Sequence, residues 1–229
     1  MSTVKNEIDD NARRINIYCP TGFHGDPYLL QVVDTLAEHV NQFVETGTEA
    51  GSTVGYFARM YPHVECFTAE TDFKTLETAC KNFANHNNIQ PYNKHSLDFL
   101  KEITPYSLPT LFWLDAHSHG WGCDLGEETA IILERWSGGY ILFDDFLVPE
   151  RPDFGYDWYE SYGKLSWEKI VEDIPEELMP RVKQLIYPNY EPKFGWRGWA
   201  LVVFGDAPLF DNIMLCWDLR EEIRDGDTT

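Results

Sequence analysis

The chain has 229 residues, enough for one well-buried domain and short for two. Acidic side chains number 38 against 18 basic ones, and the formal net charge of −20 repels phosphate backbones, so no nucleic-acid partner is expected. No apolar run approaches the roughly 18 residues that span a bilayer, so no membrane partner is expected either.

Residues 1–14 are polar and lack the apolar stretch of a signal peptide. Residues 1–25 are therefore expected to be an N-terminal tail, with residues 26–229 forming a single domain. The cysteines are Cys19, Cys66, Cys80, Cys123 and Cys216, an odd number without C-x-x-C spacing, several of them inside apolar runs. Such thiols behave as small hydrophobes, and a cytoplasmic, reducing location is expected.

Asp26-Pro27 reads as a helix cap and first turn, followed by Leu29, Val32, Val33, Leu36, Ala37 and Val40 at helical spacing. A strand at 42–45 runs into TGTEAGS, where Gly47 and Gly51 permit a tight turn and Ser52 can cap a helix through Val54, Phe57 and Ala58. A second strand is expected at 64–69, a helix at 72–85, and further strands at 92–95 and 110–114. A helix at 127–136 and a fifth strand at 140–143 follow. Alternating strands and helices predict an α/β fold: a Rossmann-like, doubly wound, mostly parallel seven-stranded sheet. Two late strands, at 184–187 and 199–204, have no long helix between them and predict an antiparallel pair at the sheet edge. The segment 150–183 is rich in aromatics (Phe154, Tyr156, Trp158, Tyr159, Tyr162, Trp167) and reads as a substrate lid or as packing for a lid or dimer contact.

Three patterns carry chemistry. FVETGTEAGSTVGYFA, at 43–58, is a strand ending in an acid, then a glycine turn, then a helix start, which exposes backbone amides beside the strand end. Glu45 is placed to bind the amino group of a zwitterionic ligand, and Gly47, Thr48, Gly51 and Ser52 to border it, although an ordinary strand–turn–helix joint has the same pattern. Glu70 follows Gly47 by 23 residues and suits the two hydroxyls of a ribose, or else a helix-capping role. Asp98, past the third strand, is positioned for an adenine or for a helix start.

The third pattern is FWLDAHSHG at 112–120 paired with GGYILFDDF at 138–146. Two apolar strands ending in acids bring Asp115, Asp144 and Asp145 to one sheet edge. Clustered carboxylates repel unless protonated or bridged, and hard oxygen ligands suit Mg²⁺ or another divalent cation. His117, two residues past Asp115, is a candidate general base, with His119 a second candidate. In the alternative reading the aspartates cap the next segment and His117 is a hydrogen-bonded loop residue.

With these motifs the chain resembles the class I S-adenosylmethionine-dependent methyltransferases, and more narrowly the macrocin O-methyltransferase family. FVETGTEAG is similar to that family's first motif, and LDAHSHG, GEET and GGYILFDDF to its fourth and fifth strands, over roughly residues 40–150; WRGWALVVFG is similar to the last strand of the fold. The resemblance implies S-adenosylmethionine as cofactor and binding of Mg²⁺ by Asp115, Asp144 and Asp145. It also implies that the metal holds vicinal hydroxyls of a small sugar-like or natural-product acceptor, and that the protein associates as a homo-oligomer. The family has an acid where this chain has His117, so the imidazole takes the base role or the metal site differs. Two rivals remain at this level: a nucleotide-dependent oxidoreductase, disfavoured because TGTEAG lacks the G-x-G-x-x-G spacing, and a non-catalytic nucleotide-binding protein on the same sheet.

Overall fold

The structure, a computed structural model, describes residues 22–117, 123–193 and 196–211, together with the backbone of Cys216–Asp218. Helix α1 (Pro27–Ala37) begins as the sequence predicts. Asp26 accepts from the backbone N–H groups of Tyr28 and Leu29 at 2.8 and 3.3 Å, Pro27 supplies the first-turn φ, and Leu29, Val32, Val33 and Leu36 are buried.

Five parallel strands follow: β1 (Gln42–Thr46), β2 (Glu65–Ala69), β3 (Ile89–Tyr92), β4 (Thr110–Leu114) and β5 (Gly138–Phe143). They alternate with α2 (Ser52–Met60), α3 (Phe73–Asn82), α4 (Ser96–Glu102) and α5 (Leu125–Arg135). β1, β4 and β5 are buried along their whole length; β4 (TLFWL) and β5 (GGYILF) therefore read as continuous apolar runs rather than alternating ones, while β1 (QFVET) carries Gln42, Glu45 and Thr46 into the interior. Each fully buried Phe or Leu in them contributes roughly 1.5–3 kcal/mol.

The chain winds outward from β1 to β2 and β3, then crosses back to β4 and β5 on the other side of β1. The crevice between β1 and β4 is thus a topological switch point, where ligands bind in open α/β sheets. Beyond β5 lie β9 (Ala200–Gly205) and β8 (Val182–Pro188), antiparallel to one another as expected, with β9 also antiparallel to β5. The seven expected strands are joined by a short eighth, β10 (Cys216–Asp218), antiparallel to β8 at the outer edge.

Three local expectations are corrected. The third strand is Ile89–Tyr92 rather than 92–95; Pro91 inside it is tolerated because β3 is the edge strand. The cap of α2 is Gly51, at φ 75°, and Ser52 is its first helical residue. Finally, the expected tail reaches too far, since residues 22–25 form a turn packed on the sheet, with Phe23 1% exposed.

In the expected lid, β6 (Trp158–Tyr159) and β7 (Gly163–Lys164) make a small hairpin before helix α6 (Trp167–Ile170). Phe154 and Tyr159 are buried in the core and Trp158 is exposed. Among the described residues no helix is long and apolar enough to cross a membrane.

Candidate active site

The site begins where β1 ends. Gly47 has φ 86°, and a Cβ there would lie 2.4 Å from the carbonyl oxygen of Asp115, so the turn and the end of β4 approach as only glycine permits. The N–H groups of Gly47 and Thr48 both donate to the carbonyl of Ala69 at 3.0 and 3.1 Å, fastening the turn to β2. Glu70 is then held from two sides: its Oε2 accepts from the N–H of Glu49 at 3.2 Å and its Oε1 from the N–H of Asp72 at 3.0 Å.

β4 and β5 end at the same edge. Asp115 N–H donates to Thr46 O at 3.0 Å and Asp144 N–H to Leu114 O at 3.2 Å, so the ladder itself aligns the acids. Asp144 is buried, and both its carboxylate oxygens lie 2.7 Å from Nε2 of His24. The Asp144 charge raises His24 to about 9 against the opposing effect of burial, making the pair an imidazolium–carboxylate.

His24 arrives on an unusual turn in which Gly22, Phe23, His24 and Gly25 all have positive φ, 44–66°. The two non-glycine residues cost about 1–2 kcal/mol each in that region. Burial of the Phe23 ring against Trp113, 4.9 Å between centroids, and the His24–Asp144 pair offset the strain.

Asp145, itself at φ 51°, is bound by the guanidinium of Arg197, which also grips Asp157. Burial pushes the Asp145 carboxyl up, but His117 and Arg197 outweigh it and hold it at about 2. Asp115 stays well above the usual carboxylate range, from burial first and then from Asp144 and Asp145 beside it. Its side chain is nevertheless about one-third exposed (34%) toward the cavity. The His117 side chain is 2% exposed; burial lowers its pKa, but the surrounding aspartates prevail and raise it. Its Nε2 is 3.8 Å from Asp115 Oδ1 and 3.7 Å from Asp145 Oδ2, beyond hydrogen-bond reach, and neither ring nitrogen has a hydrogen-bond partner among the described residues.

These groups border a cavity of about 430 Å³. Of the expected cofactor residues, Gly47 and Glu70 line it, as does Asp115, whereas Thr48, Gly51 and Ser52 do not. Glu45 also does not: it is buried beneath the turn, accepts from Thr68 Oγ1 at 2.5 Å, and is pushed up to about 8, chiefly by burial. The expected direct contact of Glu45 with a ligand amino group is therefore corrected to a supporting place under the glycine turn. Asp98 is exposed on the first turn of α4 and lines a neighbouring pocket rather than this cavity, whose wall there is formed by Ser96 and His95.

The three expected metal aspartates all line the cavity, but the compact ligand sets each include an imidazole: His24 with Asp144 and Asp145, and His117 with Asp115 and Asp145. The ring nitrogens of His117, the expected base, are buried within the wall of the cavity that the residue lines. His119 lies outside the described residues.

Sequence reasoning missed His24, Arg197 and Glu128. Glu128, on α5, is buried, accepts from Thr46 Oγ1 at 3.3 Å and is pushed up to about 7, mainly by burial. GFHGD carried a signal for His24 in its paired glycines, and GEET for Glu128 in an acid on the inner side of the helix. Arg197 stands alone between aromatic and glycine neighbours, with nothing local to mark its reach to Asp145.

No family model and no curated protein matches this chain. Solved structures do resemble it. An O-methyltransferase from Bacillus cereus in complex with SAH superposes with TM-score 0.56 at 18% identity, over 89% of this chain and 91% of that one. The O-methyltransferase TomG from Streptomyces achromogenes, involved in tomaymycin synthesis and in complex with SAM, gives 0.55 at 16% identity, over 84% and 85%. An rRNA methylase from Streptococcus thermophilus gives 0.54 at 12% identity, over 79% and 98%. At these identities the likeness is one of fold.

Proposed function

We propose that the protein is an S-adenosylmethionine-dependent methyltransferase acting on a hydroxyl of a small sugar-like or natural-product acceptor. One observation carries the reading. A single cavity runs from the glycine turn after β1, past Glu70 at the end of β2, to the carboxylates after β4 and β5. A nucleoside with an amino-acid tail needs that sequence of surfaces: a close backbone approach, an acid for the ribose, and a polar chamber for the reacting atoms. The shared fold with proteins held in complex with SAM or SAH supports it, and the motif likeness to macrocin O-methyltransferases favours a hydroxyl acceptor.

In the reaction the methyl carbon leaves the sulfonium sulfur as its bond to the acceptor oxygen forms, and the hydroxyl proton passes to a base. The protein's main contribution is orientation in line. Glu70 holds the ribose hydroxyls, and Gly47 lets the ligand lie against the backbone. Asp115 takes the proton: it stands at the end of β4 and faces the cavity where the acceptor hydroxyl would lie. The acid-rich walls select neutral or cationic acceptors over anionic ones.

The donors here also suit a divalent cation. Asp115 and Asp145 each turn an oxygen toward the cluster, beside the His117 imidazole, which has no other partner among the described residues. A cation held by these residues would supply positive charge that favours ionisation of the acceptor hydroxyl.

The reading is tested by incubating the full chain with methyl-labelled S-adenosylmethionine and a panel of hydroxylated acceptors. Label passes to an acceptor in wild type, and Asp115→Asn lowers turnover by roughly 10²–10⁴-fold while cofactor binding persists. Release of no S-adenosylhomocysteine with any acceptor contradicts it.

A further inference from the structure

We infer that Asp115, His117 and Asp145 form a nitrogen-containing metal site that takes a borderline transition-metal ion, such as Zn²⁺, Co²⁺ or Mn²⁺, in preference to Mg²⁺. The inference deepens the proposed function and rests on it for the purpose of the site, though not for its existence.

The first observation is His117 itself. Its side chain is 2% exposed, and both ring nitrogens are buried without a hydrogen-bond partner among the described residues. A buried imidazole left unsatisfied is costly and calls for a physical reason. The second is spacing. Nε2 stands 3.8 Å from Asp115 Oδ1 and 3.7 Å from Asp145 Oδ2, too far to share a proton. Two ligands each about 2.1 Å from one ion are separated by roughly 3.0 Å at a right angle and 3.4 Å at a tetrahedral one, widening further as the angle opens. The observed gaps fit a bare ion, while a water-sized oxygen cannot touch either nitrogen.

Neighbouring groups restrict the ligand set. Asp144 turns both oxygens to Nε2 of His24 at 2.7 Å and groups with His24 rather than with His117. Asp145 divides its oxygens: Oδ1 binds Arg197 and Oδ2 faces His117. Asp115 turns Oδ1 toward His117, leaving its second oxygen for the acceptor's proton. One imidazole and two carboxylates, with open positions toward the cavity, form a mixed N/O set. Imidazole favours Zn²⁺, Co²⁺ and related ions, whereas Mg²⁺ prefers oxygen and water.

The test uses the full chain stripped with chelator, titrated separately with Co²⁺, Zn²⁺, Mn²⁺ and Mg²⁺, and then with S-adenosylhomocysteine. Co²⁺ and Zn²⁺ bind roughly tenfold or more tightly than Mg²⁺, and His117→Ala loses that preference. As a readout independent of any variant's folding, pulsed electron paramagnetic resonance of Mn²⁺ on the wild-type protein shows coupling to an imidazole nitrogen. Equal affinity for Mg²⁺, an all-oxygen Mn²⁺ signal, or no metal binding overturns the inference. If S-adenosylhomocysteine binds while the metal result fails, this inference falls alone; the reverse outcome leaves the metal site standing and removes the methyltransferase reading.

Discussion

The imidazole of His24 lies 2.7 Å from both carboxylate oxygens of Asp144, joining the turn before α1 to the end of β5. This pair closes one wall of the cavity and is held in place from behind. Asp26, two residues further along, accepts from the hydroxyl of Tyr190, which in turn accepts from Trp199 Nε1 at 2.9 Å. The strained left-handed turn is therefore fixed by contacts reaching the β8–β9 side of the sheet. Replacing His24 by Ala leaves a buried carboxylate without its cation, the costly half of breaking an ion pair. Because the His24 side chain is 35% exposed, water screens part of that loss. His24→Ala is expected to lower unfolding free energy by about 1–3 kcal/mol, measured by denaturant titration.

Gly47 offers a sharper test of the turn. Alanine there meets the Asp115 carbonyl at 2.4 Å and must also adopt φ 86°. Both effects push the turn away from the end of β4. Gly47→Ala is expected to weaken S-adenosylhomocysteine binding by about tenfold or more and to lower the melting temperature. Unchanged affinity in calorimetry would place the ligand elsewhere.

Glu70 and Asp98 were both sequence candidates for the nucleoside, and the structure separates them. Glu70 lines the cavity and Asp98 does not. Glu70→Ala removes charge-assisted hydrogen bonds worth roughly 1.5–3 kcal/mol, so affinity for S-adenosylhomocysteine falls about 10- to 100-fold. Asp98→Ala leaves it unchanged. Equal losses in the two variants contradict the assignment.

Glu45 makes stability depend on pH. Burial raises its carboxyl from 4.5 to about 8 in the folded protein. Between those values the unfolded chain releases a proton that the folded protein retains, so this contribution to stability falls as pH rises across that window and levels off above it. The effect is on the order of a few kcal/mol at the upper end. Glu45→Gln keeps the contact with Thr68 and is expected to flatten that slope in melts taken from pH 5 to 8.5. An identical slope in wild type and variant rules out Glu45 as the source.

Much of the framework was legible in the sequence because it depends on local pattern. β4 and β5 are continuous apolar runs, and the acids that follow them had to share an edge once the strands were parallel. What stayed hidden depends on contacts distant in the chain. His24 meets a partner 120 residues away through a turn whose φ angles no periodicity reveals. Glu45 looks like a ligand-facing acid until α2 and Thr68 enclose it. Asp98 and Ser96 share one helix start, and only the cavity's course decides between them. The alternation that misplaced β3 was blurred by Pro91, which an edge strand accommodates.

The central claim is that the cavity between Gly47, Glu70 and Asp115 receives S-adenosylmethionine. Calorimetric titration of S-adenosylhomocysteine into the full chain, in chelator and again with added divalent cation, tests it most directly. The account predicts one site of roughly micromolar affinity in both buffers, weakened by Glu70→Ala. Absence of binding in both buffers, or binding that Glu70→Ala leaves untouched, contradicts it.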